Sequence, residues 1–314
     1  MVTYIIQRVA ISILVCFTSM CLLFAALHAI PGDPATIMLG SRATPEIRER
    51  LNHELGLDKP LFYQFTSLIG NVVQGNFGTD IFSKRSVGEE ILESLPNTLI
   101  LVVAGLGWAA LLAVPLGCFS ALKRGTWIDR LTGILSVGTI SIPSFVVAIY
   151  ALLLLSVQLG WFPVIGAGEN GNIRDQLWHL VLPSFSVGLG WVGYLARIVR
   201  ASMLEVMDEN HIRTARAFGL PESKIVLHYA LRIAILPTVT LLGLAIGGLL
   251  SSAVFAENIF ARPGIGKLVV DAANVRNYPV VQGAVLSTVA LFAFAMPISD
   301  LIIAWLDPRV RTAI

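Results

Sequence analysis

Six long stretches of this sequence contain no Asp, Glu, Lys or Arg. They lie between Arg8 and Asp33, Glu93 and Lys123, Arg130 and Glu169, Asp175 and Arg197, Arg232 and Glu257, and Arg276 and Asp300. Even the shortest, between Asp175 and Arg197, has 21 residues, and a helix needs about 20 apolar residues to cross the hydrocarbon core of a bilayer. The sequence therefore predicts an all-α integral membrane protein with six transmembrane helices.

The composition supports a membrane protein over a large soluble domain. Hydrophobic residues make up 55% of the 314 residues and charged residues 13%, about half the charged fraction of an average soluble domain. The net charge is +2 and no basic run is present. The lipid bilayer is therefore the expected partner, and no nucleic acid is expected.

Two of the stretches have more than one interpretation. The first is too long for the apolar core of a signal peptide and has no convincing cleavage site before Pro31. We expect an uncleaved span there, with a signal peptide as the alternative. The longest stretch, after Arg130, is expected to hold one span because its last third is rich in loop-forming residues. These are Gly160, Pro163, Gly166 and Gly168.

The basic residues are denser in alternate connections between the spans. The denser connections are 1–8, 123–130, 197–236 and 306–314. They hold 12 of the 22 Lys and Arg residues in about 65 positions, and the remaining connections hold 10 in about 100. Because cytoplasmic loops carry the excess of Lys and Arg, the N-terminus and the C-terminus are both expected in the cytoplasm.

These spans and connections divide the chain into four parts. They are a first transmembrane helix at 1–30, an extracytoplasmic cap at 31–94, a five-helix core at 95–305 and a cytoplasmic tail at 306–314. The cap is expected to be helical, with helices that begin at Thr44, near Pro60 and at Ser86. It either packs against the helix ends, which the sequence slightly favours, or contacts an external partner.

The inner segment 200–236 within the core is long, basic and half apolar. Leu220–Pro221 interrupts two helical stretches, and Gly219 suits the left-handed position that ends the first one. The second stretch is predicted to present a basic face beside an apolar face. The basic face has Lys224, His228 and Arg232, and the apolar face has Ile225, Tyr229 and Ile233. Such a hairpin suits docking onto another protein better than a plain connection between spans.

Two glycine motifs resemble nucleotide-binding sequences by letter only. Gly188–Gly193 matches G-x-G-x-x-G, but it lies inside the fourth span, where small residues allow close helix packing. Gly264–Leu268 lacks the first glycine of a phosphate loop and has Leu268 where Ser or Thr would bind magnesium. No cofactor is expected on this chain, so ATP and Mg²⁺ would belong to a partner.

The polar residues within the spans suggest few sites. Gly243 and Gly247 form a small-xxx-small pair that predicts helix packing, and the nearby Ser251 and Ser252 are weaker candidates for a translocation path. The cysteines and histidines show no ligand spacing, so no metal site is predicted. No arrangement of residues suggests a catalytic site.

Asp300 lies about 10 Å before Asp307 along the last span. A carboxylate at that depth is unfavourable unless it is paired or hydrated. A structural ion pair is the favoured interpretation, with Arg197 as the candidate partner. A direct role in transport is the alternative. No other buried acid is evident from the sequence.

The segment HIRTARAFGLPESKIVLHYALRIAILP at 211–237 resembles the coupling loop of bacterial ABC importer permeases of the peptide/nickel type. Further similar stretches are LHAIPGDPATIML, ELGLDKPLFYQF, ENIFARPGIGKLVVDAANVRNYPVVQG and LDPRVR, in the family's order. The resemblance covers essentially the whole chain. The general importer loop begins Glu-Ala-Ala, and Arg213 stands here in place of its Glu, which is usual in the peptide/nickel branch. Pro221 replaces a Ser that this branch often has.

The resemblance implies a type I ABC importer permease in a bacterial inner membrane. Its partners would be a second homologous permease, two ATPase subunits and an extracytoplasmic binding protein that delivers di- or oligopeptides. Nickel or metal chelates, glutathione and opine-like solutes are the alternative cargoes. The residues that would couple to the ATPase are Arg213, Thr214, Ala215, Arg216, Ala217, Gly219 and Leu220.

Two other classes of protein remain as alternatives. A secondary transporter would show internal repeats and several ionisable residues inside the membrane, and no repeat is evident. A membrane-embedded enzyme would need a catalytic constellation, and none is found in the sequence.

Overall fold

In a computed structural model, the chain forms a bundle of long helices. The structure describes residues 2–29 and 58–306, with side chains from 6 to 295 in those ranges and at Pro297. The helices in chain order are α1 (Val2–Ala29), α2 (Leu61–Val73), α3 (Val87–Leu122), α4 (Trp127–Ser141), α5 (Ser144–Ala151), α6 (Ile173–Met207), α7 (Asn210–Ala217), α8 (Leu236–Ile259), α9 (Ile265–Asn274) and α10 (Tyr278–Leu306).

Five of the six predicted spans are single helices. α1, α3, α6, α8 and α10 are long and apolar enough to cross a membrane. The third predicted span is instead broken, because α4 and α5 meet at an angle of 95°. Pro143 causes the break, since it restricts Ile142 to an extended conformation (ψ 119°) that ends α4. With the bent pair counted as one span, the structure has the six predicted spans.

The second half of the broken span ends where the sequence predicted a loop. α5 continues as a π-helical segment, Leu152–Gln158, and the helix stops there. Gly160, Gly166 and Gly168 all adopt positive φ, which glycine allows without steric strain. The chain then turns back into α6.

The described part of the cap is partly as predicted. α2 begins directly after Pro60, and its Phe65 packs edge-on against Phe24 of α1 with ring centroids 5.2 Å apart. The helix predicted from Thr44 lies outside the described residues. The helix predicted at Ser86 does begin there, but it is not a separate cap helix, because it continues as α3 over 36 residues.

Small residues allow α6 to pack closely against α3 and α4. A Cβ added at Gly188 would lie 2.5 Å from the carbonyl oxygen of Gly105, and one at Gly193 would lie 2.5 Å from the carbonyl oxygen of Ser136. The G-x-G-x-x-G letters of α6 therefore reflect helix packing, as predicted. The same holds in α8, where a Cβ at Gly247 would overlap the ring of Phe292 in α10.

The α3–α6 contact predicts the effect of a single added methyl group. A Cβ at Gly117 would lie 2.6 Å from the Cβ of Val199 and 2.7 Å from a backbone oxygen of α6. We expect Gly117→Ala to lower the free energy of unfolding by about 1–3 kcal/mol because α6 cannot yield without moving its backbone. The midpoint of thermal unfolding in detergent measures this. Gly107→Ala in the same helix is the control, since nothing lies within 4 Å of its added Cβ. Equal midpoints for the two variants would contradict the packing argument.

Candidate functional site: the inter-span loop and the cavity beside the broken span

The inter-span loop, residues 208–235, joins α6 to α8 and begins with the short helix α7. α7 ends in a Schellman motif: the Gly219 N–H donates to the Arg216 carbonyl at 2.9 Å, and the Leu220 N–H donates to the Ala215 carbonyl at 3.3 Å. Gly219 has φ of 74°, the left-handed conformation that the sequence predicted. The chain direction therefore reverses at a well-defined point between α7 and Pro221.

The second helical stretch differs from its prediction. Its helical segments are Glu222–Lys224, a π-helical segment Ile225–Ala230, and Leu231–Ala234. A π-helical turn holds more residues than an α-helical turn, so side chains four apart no longer share one face. The predicted apolar face is therefore wrong in part, since Tyr229 is 40% exposed and Ile233 36%. The residues that are buried are Ile225, Val226, Ala230 and Ala234.

The predicted coupling residues lie on two sides of α7. Ala215 is buried, together with Ile212, in a cluster that includes Met203 of α6 and Ile225. This contact holds α7 against the end of the bundle, so Ala215 supports the loop from inside. The other predicted residues are exposed or half-buried: Arg213, Thr214, Arg216, Ala217, Gly219 and Leu220.

Phe218 is a feature of the loop that sequence reasoning missed. Its side chain is 82% exposed at the end of α7, directly before Gly219. Its ring adds apolar surface that a partner could cover to the outer side of the loop. The sequence places Phe218 directly before Gly219, which ends the helix. A single aromatic residue at that position does not show whether its side chain is exposed.

An ion pair closes the turn between the two parts of the loop. The Arg216 guanidinium donates to the Glu222 carboxylate at 2.7 Å, across the reversal at Gly219. This hydrogen bond raises the pKa of Arg216 and lowers the pKa of Glu222. Arg216 is thus engaged within the loop, and Arg213 is the cation that α7 presents on its outer side.

A buried carboxylate joins three helices at the same end of the bundle. Asp129 of α4 accepts hydrogen bonds from Arg200 Nε at 2.6 Å and Nη2 at 2.9 Å, from the Ser120 hydroxyl at 2.6 Å and from the Gly125 N–H at 3.0 Å. Arg200 lies on α6, one turn before Met203 in the cluster beneath α7. The ion pair therefore ties α3 and α4 to the helix that carries the loop.

The opposite ends of the spans contain a second buried carboxylate. Glu257, near the end of α8, is fully buried and accepts hydrogen bonds from the Thr98 hydroxyl at 2.6 Å and the Lys267 N–H at 3.2 Å. A Cβ at either Gly264 or Gly266 would collide with its carboxyl group. The phosphate-loop-like sequence therefore wraps around a carboxylate of its own chain, which explains its glycines.

These two carboxylates correct the expectation that Asp300 was the only buried acid. Asp129 and Glu257 lie at the edges of uncharged stretches, where sequence reasoning placed them at the membrane surface. The side chain of Asp300 lies outside the described residues, so its pairing with Arg197 remains a prediction. The Arg197 guanidinium carbon lies 5.8 Å from the centroid of the Tyr194 ring, and Arg197 is exposed.

A cavity of about 320 Å³ lies beside the break in the third span. Of the two serines predicted for a translocation path, Ser252 lines this cavity and Ser251 is not among its lining residues. Both hydroxyls also donate to carbonyls one turn earlier on α8. The lining residues are Ile140, Ile142, Pro143, Ser144, Val187, Gly190, Trp191, Tyr194, Leu244 and Ser252.

Two protein-family models match this sequence. The family described as "Binding-protein-dependent transport system inner membrane component" matches residues 113–312, and "Binding-prot-dependent transport system membrane comp, N-term" matches residues 1–102. The chain belongs to the family of binding-protein-dependent transport system inner membrane components. The inter-span loop lies within the first of the two matches, and α1 and α2 lie within the second.

Relatives and solved structures agree with this assignment. The glutathione transport system permease protein GsiC is 37% identical over 311 residues in both Shigella flexneri serotype 5b and Escherichia coli K12, covering 99% of this chain and 99% of each relative. Two inward-facing crystal forms of the MetNI methionine ABC transporter match with TM-scores of 0.56 and 0.52, at 17% and 20% identity. Both cover 69% of this chain and 96% of the solved chain, and they show the shared fold. The expected ABC importer permease is confirmed, as a multi-pass inner-membrane protein.

The Asp129–Arg200 pair predicts a large effect on stability. Asp129→Ala would remove the carboxylate that accepts two hydrogen bonds from Arg200, whose side chain is 33% exposed, so we expect a loss of about 1–3 kcal/mol in the free energy of unfolding. Glu93→Ala is the matched control, because it removes the partner of Arg85 in a pair whose side chains are 46% and 63% exposed, and such pairs contribute about 0–1 kcal/mol. Thermal unfolding in detergent compares the two variants, and similar losses would mean that Asp129 is not a structural anchor.

Proposed function

We propose that this permease forms half of a translocation pathway for small peptides of the glutathione class. A second homologous permease would form the other half. Two ATPase subunits would bind the inter-span loop, and an extracytoplasmic binding protein would deliver the solute. The inter-span loop carries this proposal, because it is an exposed helical hairpin with a rigid turn and firm attachment to the bundle.

The loop has the properties that mechanical coupling requires. A coupling element must be stiff, because a flexible connection would absorb the movement of the ATPase subunits. The Schellman motif at Gly219 and the Arg216–Glu222 ion pair define the turn, and the buried Ile212 and Ala215 hold α7 against α6. Movement applied to α7 would therefore reach α6 through this apolar cluster.

The outer side of α7 offers contacts to a partner. The exposed ring of Phe218 suits an apolar groove, and the Arg213 guanidinium suits acidic groups at its edge. Ala217 is exposed between them and is small enough for close approach of a partner backbone. We place the ATPase contact on these three residues, with Thr214 beside them. Ala215, Arg216, Gly219 and Leu220 shape the loop that presents them.

The substrate class is proposed from the relatives. Their name specifies glutathione, a small peptide with two carboxylates, and the match covers nearly the whole chain. Other di- and oligopeptides, and the nickel, metal-chelate or opine-like solutes implied by the resemblance, are the alternatives. We assign no cofactor to this chain and place ATP and Mg²⁺ on the ATPase subunits, since the Gly264–Leu268 segment surrounds Glu257 instead.

The proposed orientation puts the inter-span loop on the ATPase side of the membrane. In the proposed topology, the N-terminus, the inter-span loop and the C-terminus are cytoplasmic, consistent with the excess of basic residues in these segments. The cap helix α2, the Gly75–Asp80 turn and α9 would then face the binding protein. The buried Glu257 would lie near the outer surface, and the Asp129–Arg200 pair near the inner surface.

Thiol labelling tests this orientation. In a variant with Cys16, Cys21 and Cys118 replaced, single cysteines at Ser83 and Asn172 should react with an impermeant thiol reagent added to intact cells. A cysteine at Ser223 should react only after the membrane is opened, because the inter-span loop is proposed to be cytoplasmic. All three positions are exposed in the structure. Absence of labelling at one of them would therefore reflect shielding by the membrane and not burial in the protein. Labelling at Ser223 from outside would overturn the orientation.

Coupling and substrate are tested with the purified complex of both permeases, both ATPase subunits and the binding protein. Glutathione-loaded binding protein should stimulate ATP hydrolysis several-fold in the wild type. Gly219→Val should abolish the stimulation or release the ATPase subunits, because a β-branched residue tolerates a φ of 74° poorly. Phe218→Ala should do the same without backbone strain, since this side chain is 82% exposed.

The matched control is Gly160→Val, which imposes the same backbone strain in a loop on the other side of the bundle. Gly160 has φ of 65°, and no atom lies within 4 Å of an added Cβ, as at Gly219. Stimulation should persist in this control. If Gly219→Val and Phe218→Ala both retain normal stimulation and subunit binding, the inter-span loop is not the coupling element. If the wild type does not respond to glutathione, the proposed substrate is wrong.

A further inference from the structure

The cavity beside the broken span is built from three elements that meet within the membrane. Ile142 and Pro143 contribute from the break between α4 and α5, Trp191 and Tyr194 from α6, and Ser252 from α8. Its volume of about 320 Å³ is near the lower end of the range for small-molecule sites. The site is therefore large enough for a small solute or part of one.

The aromatic wall of this cavity has a defined position. The Trp191 and Tyr194 rings make an edge-to-face contact with centroids 5.6 Å apart. Trp191 also lies directly against Gly248 of α8, where an added Cβ would be 2.8 Å from the indole Cζ2 atom. The missing side chain of Gly248 thus leaves room for the indole to pack against α8. This contact holds the aromatic wall in place before any solute binds.

A cation stands at one end of this wall. The guanidinium carbon of Arg197 lies 5.8 Å from the centroid of the Tyr194 ring, and Arg197 is exposed. Among the side chains that the structure describes, no carboxylate forms a salt bridge with it. Arg197 is not itself a lining residue of the cavity, but it lies against the ring of the lining residue Tyr194. The cation and the aromatic surface therefore lie within reach of one small molecule.

Polar groups on this surface argue against contact with lipid tails. Most of the lining residues are apolar, but hydroxyl groups are present at Ser144, Tyr194 and Ser252, and the Arg197 guanidinium lies beside the Tyr194 ring. Exposure of polar or charged side chains to lipid hydrocarbon is energetically costly. Such side chains in spans therefore mark water-filled cavities and solute paths. The surface is therefore suited to an aqueous pathway that the second permease would close.

We propose that this cavity is a contact site for a carboxylate-bearing peptide in transit. Arg197 would pair with a carboxylate of the solute, while Trp191 and Tyr194 would contact its aliphatic part. The inference rests on the proposed function and adds a site and a charge preference to it. Because a solute in transit must also leave, the site is expected to bind weakly and to affect the uptake rate.

Uptake of radiolabelled glutathione into proteoliposomes tests this site, with the complete complex and saturating loaded binding protein. Arg197→Gln should lower the rate per assembled complex roughly tenfold, the worth of a typical hydrogen bond to a charged group. Arg197→Glu should be slower still because it repels the carboxylate, and Arg197→Lys should retain most of the rate. Arg174→Gln, at the opposite end of α6, is the control and should leave uptake unchanged.

A second set of variants tests the aromatic wall. Gly248→Ala should displace the indole and slow uptake, whereas Trp191→Phe should preserve much of the rate. Uptake at the wild-type rate by both Arg197→Gln and Arg197→Glu would overturn this inference and leave the proposed function unaffected. The inference would also be overturned if Asp300→Asn slowed uptake as much as Arg197→Gln and the variant with both substitutions were no slower than either one. Arg197 would then act through a structural ion pair with Asp300. Absence of uptake by the wild type would instead refute the proposed function.

Discussion

The close approach of α6 to α3 is the contact on which the rest of the structure depends. At Gly105, Gly117 and Gly188 the two backbones come so near that an added Cβ would lie within 2.8 Å of an atom of the facing helix. In a bilayer the hydrophobic effect does not drive helices together, so such close van der Waals packing has to hold them. α6 is consequently the central helix of this group, with α3, α4, α5 and α8 packed against it, while α1 packs against α10.

Two buried carboxylates then fix the ends of these packed helices. Asp129 ties α3 and α4 to α6 through Arg200 and Ser120, and Glu257 ties α8 and α9 to α3 through Thr98. Each carboxylate has several donors, and that makes burial of its charge tolerable. Both therefore have a structural explanation, and neither needs a role in proton or ion transport.

The functional features all connect to α6. Its C-terminal end carries the inter-span loop, and its middle carries Trp191 and Tyr194 of the cavity. Between them lies Arg200, paired with Asp129. Helices in close-packed bundles move as stiff units, because their interfaces deform little. If the loop binds the ATPase subunits as proposed, a displacement at α7 would accordingly change the cavity wall and so link ATPase movement to solute passage.

The sequence by itself determined the number of spans, the loop after Gln158 and the reversal at Gly219. Each of these is a local property: a run of about 20 uncharged residues, a cluster of glycines, or one residue that must adopt positive φ. It also indicated that the Gly188–Gly193 and Gly243–Gly247 motifs pack helices, because small residues have that effect wherever spans meet. The family resemblance added the expected coupling role of residues 213–217, Gly219 and Leu220, because the partner of a hairpin is not a local property of its sequence.

Only the tertiary structure decided how the distant residues combine. Asp129 and Arg200 are 71 residues apart, and Thr98 and Glu257 are 159 apart, so no spacing rule connects them. The exposure of Tyr229 in the π-helical segment and the burial of Ala215 likewise depend on packing against other helices. The physical reason is the same in each case. Burial, and the partner that makes a buried charge tolerable, are set by helices far away in the chain, whereas crossing the membrane is set by the residues of the span itself.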